Sequence, residues 1–163
     1  MAFSLETDTV IEAIRTTVGT SVTVGTDTVP IRSRPESDLW SLPTTGKFPM
    51  LAIEVTGDES PGNTDRDLVK KQAIWITCAL HCIARNADIE AATSITTPAK
   101  FARQFAEAVS EKLAASPTLG TEIIYEARYE GKGADLEARP SLQEQGLTEF
   151  TCVWSWLYES DRP

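Results

Sequence analysis

Apolar residues recur at every third or fourth position in two stretches of the chain, which places them on one face of a helix. The first stretch starts with a capping-box pattern at Thr9 and stops before Gly19, so a helix is predicted over about residues 8–18. The second begins with proline at its first position and ends before Pro117, which predicts a helix over residues 98–115.

Elsewhere the apolar residues fall on alternate positions, which is the period of a β-strand. The longest such stretch, residues 71–83, carries only apolar side chains on one parity, and this favours a strand over a helix. A short strand is expected within residues 21–27, followed by irregular chain. The main strands predicted from the pattern cover about residues 50–55, 71–83, 123–130 and 147–158.

The predicted elements follow one another in the order α-β-β-α-β-β. This order indicates an α+β fold, with two main helices packed on one face of a mainly antiparallel sheet. Long polar loops are expected at 57–69 and 131–146, where glycine and charged residues cluster. Because no repeat or break in composition divides the chain, residues 1–163 are expected to form a single domain.

The charge balance argues against one class of function. Fifteen lysines and arginines stand against 24 aspartates and glutamates, for a net charge of -9 and an isoelectric point near 4.6. Such a surface repels phosphates on average, so specific binding of DNA or RNA is disfavoured. It remains compatible with DNA that slides past without adhering, or with basic protein partners.

Composition also bears on location. The longest strongly apolar stretch, residues 73–84, is well short of the ~20 residues of a membrane span. The first six residues have neither a basic nor an apolar leader region, and the cysteine count of three is odd. We therefore expect no membrane anchor and a protein made and kept in a reducing cytosol.

Histidine and cysteine are the first candidates for chemistry. His81 is the only histidine, and Cys82 next to it points to the opposite face of a strand, so only a distant thiol such as Cys152 is left as a partner. Cys78 and Cys82 are about 13 Å apart at strand rise, too far for one zinc ion or one disulfide. A packing or surface role is favoured for His81, and a core role for Cys78 and Cys82.

Acidic residues offer a second candidate. Asp58, Glu59, Asp65 and Asp67 invite a calcium or magnesium site, but they lack the order of ligands of an EF-hand loop, and a solvated loop is favoured. Glu54 has no lysine two positions later, where a nuclease Glu-x-Lys arrangement needs one. We expect no catalytic residue, no metal site and no cofactor, and the protein is not expected to be an enzyme.

Aromatic residues occupy alternate positions of the last predicted strand. Phe150 and Trp154 are expected in the core, whereas Trp156 and Tyr158, nearer the strand's end, are expected to extend into a subunit interface. Lys132 lies in a glycine-flanked turn that lacks the rest of a Walker motif. The predicted partner contacts are Asp58, Glu59, Asp65, Asp67, Lys132, Trp156 and Tyr158.

Taken together, these elements and their flanks resemble the tail-terminator (tail-completion, minor tail protein) family of siphophages over nearly the whole chain. The resemblance is one of pattern and order, and no single segment is a signature. It rests on the helix from Thr9 to Val18, the segment from Phe48 to Val55 that leads into the acidic hairpin, the strand from Lys71 to Ile83, the helix from Pro98 to Ala115, the tyrosine-bearing strand and the aromatic last strand.

The resemblance implies a virion protein of the tail and neck, assembled in the host cytoplasm. It implies a homo-oligomeric ring, expected to be a hexamer, that caps the tail tube, stops polymerisation of the tube protein and offers a surface to the head-tail connector. DNA would pass through the lumen of the ring without specific binding. The loops 57–69 and 131–146 would reach neighbouring subunits, the tube or the neck.

Two alternatives stay open at this point. The nearer one is another neck component, such as a head-closure or connector-completion protein, which shares small α+β subunits and ring symmetry. The other is a small metal-dependent enzyme that uses Glu54, His81 and the acidic loop.

Overall fold

The computed structural model of the chain describes residues 2–36, 47–59, 71–87, 97–132 and 146–161. Two helices and six strands lie wholly within these ranges. In chain order they are α1 (Ala2–Val18), β1 (Ser21–Val24), β2 (Asp27–Pro30), β3 (Met50–Glu59), β4 (Lys71–Arg85), α2 (Pro98–Ala115), β5 (Ile124–Lys132) and β6 (Leu147–Asp161).

The main sheet has four strands in the order β3-β4-β6-β5, and every neighbouring pair is antiparallel. Strands β4 and β6 pair along their full length without a bulge, from Lys71 opposite Asp161 to Arg85 opposite Leu147. This uninterrupted central pair is the frame on which both faces of the sheet are built. Strands β1 and β2 form a separate two-stranded hairpin.

Helix α2 packs across β4 and β6, and α1 contacts both α2 and β6. The buried side chains of α2 include Phe101, Phe105, Val109 and Leu113, which share the one face that its sequence makes apolar. Full burial of each such side chain contributes about 1.5–3 kcal/mol. The largest wholly buried residue is Trp156, which faces the helices from the sheet.

The two edges of the sheet differ. Along β3, the amides of Leu51 and Ile53 donate to the carbonyls of Ser33 and Pro35, so the segment before the strand covers this edge in part. At the other edge, no strand of the described ranges pairs with the outer side of β5. An unpaired edge is a natural place for contact with another chain.

The structure confirms the α+β class and the mainly antiparallel sheet, and the second helix has the predicted bounds. It differs at the N-terminal side. Helix α1 begins at Ala2, six residues earlier than predicted, and a complete hairpin replaces the single short strand. The two-residue turn of that hairpin contains Gly25 at a φ of 65°, a conformation that glycine adopts without steric cost.

Strand β3 is also longer than predicted, because pairing with β4 continues past a bulge at Val55/Gly57 to Glu59. The first residues of the predicted acidic loop are therefore strand, and the rest of that loop lies outside the described residues. No helix in the described ranges has the length and apolar character needed to cross a membrane.

Candidate interaction groove

A groove of about 420 Å³ opens between helix α2 and the neighbouring strands β5 and β6. It forms because α2 lies over β4 and β6, which leaves the helix-facing side of β5 partly uncovered. The helix contributes a row of residues at helical spacing that flanks its buried face. These are Ala106, Glu107, Ser110, Glu111 and Ala114.

The sheet side of the groove is mainly aromatic. Its residues are Tyr129 of β5 with Phe150, Cys152 and Trp154 of β6. The rings of Tyr129 and Trp154 lie 5.4 Å apart at an angle of 52°, and Trp154 stacks on Trp156 at 6.1 Å. Such aromatic contacts add to the burial energy of the rings. The stacking on Trp156 connects the floor of the groove with the hydrophobic core.

A short chain of hydrogen bonds holds the floor against the helix. The indole Nε1 of Trp154 donates to Oγ of Ser110 at 3.2 Å, and that hydroxyl donates to Sγ of Cys152 at 3.5 Å. Burial raises the pKa of Cys152 to about 11, although the bond from Ser110 acts in the opposite direction. The thiol is therefore protonated at neutral pH and acts as a neutral part of the wall.

The rim of the groove is acidic. Glu107 and Glu111 are exposed and lie one turn apart on α2. Glu107 has one distant ion pair, 3.9 Å from Nε of Arg103, in which both side chains are about half exposed. Pairs of this kind contribute little, so the carboxylate is available to another partner.

Tyr129 lines the groove and is also exposed to solvent, so the apolar surface of the groove continues onto the surface of the protein. It is 47% exposed, and Tyr125 on the same strand is 55% exposed; these two are the large apolar side chains that stand out in the described ranges. Partial burial raises the pKa of Tyr129, and the nearby Cys152 and Glu107 add to the rise. The hydroxyl is consequently a hydrogen-bond donor at neutral pH.

A second polar cluster lies on the opposite face of the sheet, around His81. Nδ1 of His81 is 3.0 Å from Oγ1 of Thr151 and 3.3 Å from Oε1 of Glu149, while Nε2 is 3.7 Å from Oε2 of Glu54. The Thr151 hydroxyl also bonds to Glu149 at 3.2 Å. The strand register brings these residues together, since His81 is opposite both Ala52 of β3 and Thr151 of β6.

The His81 cluster brings together two residues of the enzyme alternative, Glu54 and His81, at a buried position. His81 is completely buried, and both carboxylates are largely buried. Cys152 is opposite Leu80 and so lies on the helix-facing side, where His81 cannot reach it. Among the described residues, no group of three or more histidine, cysteine or acidic side chains is placed to hold a metal ion.

The structure corrects the expected roles of Trp156 and Tyr158. Both have no exposed surface and lie in the core beneath the helices, because their parity on β6 is that of the helix-facing side. They are therefore not positioned to contact another subunit. The core position expected for Trp154 is confirmed, and this residue also lines the groove.

The other predicted contacts fall at strand ends or outside the described ranges. Asp58 and Glu59 are the last residues of β3, and Lys132 is the last residue of β5. Asp65 and Asp67 lie outside the described residues. The predicted core role of Cys78 and Cys82 is confirmed by their burial, as free thiols.

Sequence reasoning missed the groove itself. One signal was available: Ala106, Ser110 and Ala114 repeat every four residues, so one flank of α2 is lined with small side chains. The aromatic floor facing that flank comes from strands that follow in the chain, and only the crossing of α2 over β6 brings the two together. The sequence matches no family model, and a comparison with curated proteins also finds no match.

Proposed function

We propose that this chain is a structural subunit of a phage tail, of the tail-terminator kind, that acts through protein contacts. In this role it forms a ring, expected to be a hexamer, on the end of the tail tube, stops polymerisation of the tube protein, and offers a surface to the head connector. The proposal rests on the resemblance in element order together with the groove between α2, β5 and β6.

The groove is the observation that carries the proposal. Its floor is aromatic, it is open to solvent, and Tyr129 extends it to the edge of the sheet. Contiguous apolar surface with a polar rim is typical of protein-protein contact sites, and tyrosine and tryptophan are enriched in them. A chain that functions by docking needs such a surface.

The asymmetry of the sheet supports assembly into a ring. Residues before β3 cover one edge in part, while no described strand pairs with β5 at the other edge. Two unlike edges suit a heterologous contact, in which one patch meets a different patch on the next subunit. Repeated around an axis, contacts of this type close a ring when the rotations between neighbouring subunits add up to a full turn.

The net charge of -9 supports a lumen through which DNA moves freely. Binding of DNA depends on neutralisation of phosphates by basic side chains, with release of counterions. An acidic ring offers little of this attraction, so a double helix would pass without adhering.

Mass photometry and electron microscopy test the proposal. We expect the purified chain, alone or with tail-tube protein from the same genome, to give a species of six 17.8 kDa subunits, about 107 kDa. Tubes grown in its presence should be shorter and should carry a ring at one end. A chain that stays at the monomer mass with tubes present, and leaves their length distribution unchanged, would overturn the proposal.

A further inference from the structure

We propose that the groove between α2, β5 and β6 binds a basic segment of a partner protein, which inserts a large apolar side chain over Trp154 and pairs its lysines or arginines with Glu107 and Glu111. This inference rests on the proposed assembly function and deepens it by naming the chemistry of the partner. It concerns a different protein and not a second copy of this chain.

The geometry of β5 favours side-chain insertion over addition of a strand. Two bulges interrupt its pairing with β6, at Ile124/Glu126 and at Tyr129/Gly131. Glu126 and Glu130 are exposed along the same strand. Bulges and charges at an edge hinder the regular ladder that another strand would need.

The apolar floor is suited to a large side chain. At about 420 Å³ the groove falls in the size range of ligand pockets. Its polar floor atoms are already engaged, because Ser110 bonds to both Trp154 and Cys152. The floor therefore offers ring and methyl surface, which an apolar side chain covers without leaving a polar group unpaired.

The charge of the rim decides between partners. Glu107 and Glu111 stand one turn apart on α2 beside the floor, and both side chains are exposed. Of the basic side chains near this rim, Arg103 makes only the distant pair with Glu107, and Nζ of Lys112 bonds to two carbonyl oxygens.

A segment that pairs with this rim has to be basic, whereas this chain has 15 basic against 24 acidic residues. A basic segment of another protein is complementary to the rim, and complementary potentials steer association and determine the choice of partner.

Fluorescence anisotropy with a defined probe tests this inference. The probe is a fluorescein-labelled amphipathic peptide of lysine and leucine with one central tryptophan, and its matched control carries glutamate in place of lysine. We expect the full-length chain to bind the basic peptide in a salt-dependent manner and to ignore the acidic one.

Two variants locate the binding. The double change Glu107→Gln and Glu111→Gln should weaken binding about tenfold. Its control, Asp8→Asn with Glu12→Gln, removes two exposed charges one turn apart on α1 and should change binding less than about twofold. Ala114→Trp fills the groove and should abolish binding, whereas Ala115→Trp, exposed beside it but outside the groove, should not.

Several results would overturn the inference. Equal weakening by the two charge variants would show general attraction to an acidic protein, and normal binding by Ala114→Trp would show that the groove is not the site. Loss of ring formation in Ala114→Trp, with peptide competing against the ring, would assign the groove to a second copy.

Failure of the partner inference is distinguishable from failure of the proposed function. A chain that forms rings on tubes but does not bind the peptide would support the proposed function and contradict the inference of a basic partner. A chain that binds the peptide at the groove but stays monomeric with tubes would support the docking site and contradict the proposed ring.

Discussion

The ammonium group of Lys112 on α2 donates hydrogen bonds to the backbone carbonyl of Val18, at 2.8 Å, and to that of Ser21, at 2.6 Å. Val18 is the last residue of α1, where carbonyl groups lack partners within the helix. One side chain therefore satisfies the end of a different helix and joins α1, α2 and the start of β1. A cation is also favourable at the negative end of a helix dipole.

This contact predicts a loss of stability for Lys112→Met, a change that keeps a long apolar side chain but removes the donor. We expect the free energy of unfolding to fall by about 2 kcal/mol, because hydrogen bonds from charged donors contribute about 1.5–3 kcal/mol. Urea denaturation followed by circular dichroism measures it. The control is Lys100→Met on the same helix, at an exposed position. Equal effects of the two changes would contradict the capping role.

The His81 cluster predicts strong coupling between residues of three strands. His81→Phe should lower the free energy of unfolding by about 3 kcal/mol, since it leaves polar groups of Glu54 and Thr151 without their buried partner. A double-mutant cycle with Glu54→Gln measures the coupling. We expect the double variant to be more stable than the sum of the single changes implies. Additive effects would show that the 3.7 Å contact between Glu54 and His81 has no energetic role.

The three cysteines predict how stability changes at alkaline pH. Burial raises the pKa of Cys78 to about 12 and that of Cys152 to about 11, and it raises the pKa of Cys82 as well. The ordinary value is 9.0, so the folded state holds these protons more tightly than the unfolded state. The stabilisation is fully present below pH 9 and is lost as pH rises towards 11 to 12.

Denaturation between pH 8 and 11 tests this direction. Each thiol contributes a decline of at most about 1.4 kcal/mol per pH unit above pH 9. Because tyrosines and lysines also titrate in this range, the comparison is with Cys78→Ala, which should be less stable at pH 8 and should lose stability less steeply. A variant with the same slope as the parent chain would count against burial of the Cys78 thiol.

Local patterns were sufficient to predict much of the fold. Helix α2 was predicted to its exact bounds in the structure because proline begins it and a second proline follows it, and both effects act on the adjacent backbone. Strand β4 was predicted because every second residue in its sequence has an apolar side chain. The hairpin at residues 21–30 was only partly predicted, since its signal is a single glycine turn between two strands of four residues each.

The candidate site was much less predictable. Tyr129 falls within the strand predicted over about residues 123–130, and Glu107 and Glu111 are ordinary residues of a helix surface. They become a groove only because α2 crosses β6 at the position that joins Ser110 to Trp154, 44 residues away in the chain. Periodicity within an element determines which face is apolar, but it does not determine how far a helix extends over a sheet.

Truncation of an aromatic residue in the last two strands should cost more stability when the residue is buried than when it is exposed. Trp156 is wholly buried, so Trp156→Ala should lower the free energy of unfolding by about 3–5 kcal/mol. Tyr129 is 47% exposed, and Tyr129→Ala should cost less, about 1 kcal/mol, mainly through its contact with Trp154. Denaturant unfolding of both variants measures the two costs.

Docking of the basic probe peptide should be more sensitive to a change at Tyr129 than to a change at Trp156, provided that both variants remain folded. Tyr129→Ala removes apolar surface at the mouth of the groove, and we expect it to impair docking of the basic probe peptide while the circular dichroism spectrum stays unchanged. Trp156→Phe keeps a ring in the core and should leave docking intact, at a modest cost in stability. If Trp156→Phe reduced docking and Tyr129→Ala did not, the contact surface would lie elsewhere than at the groove.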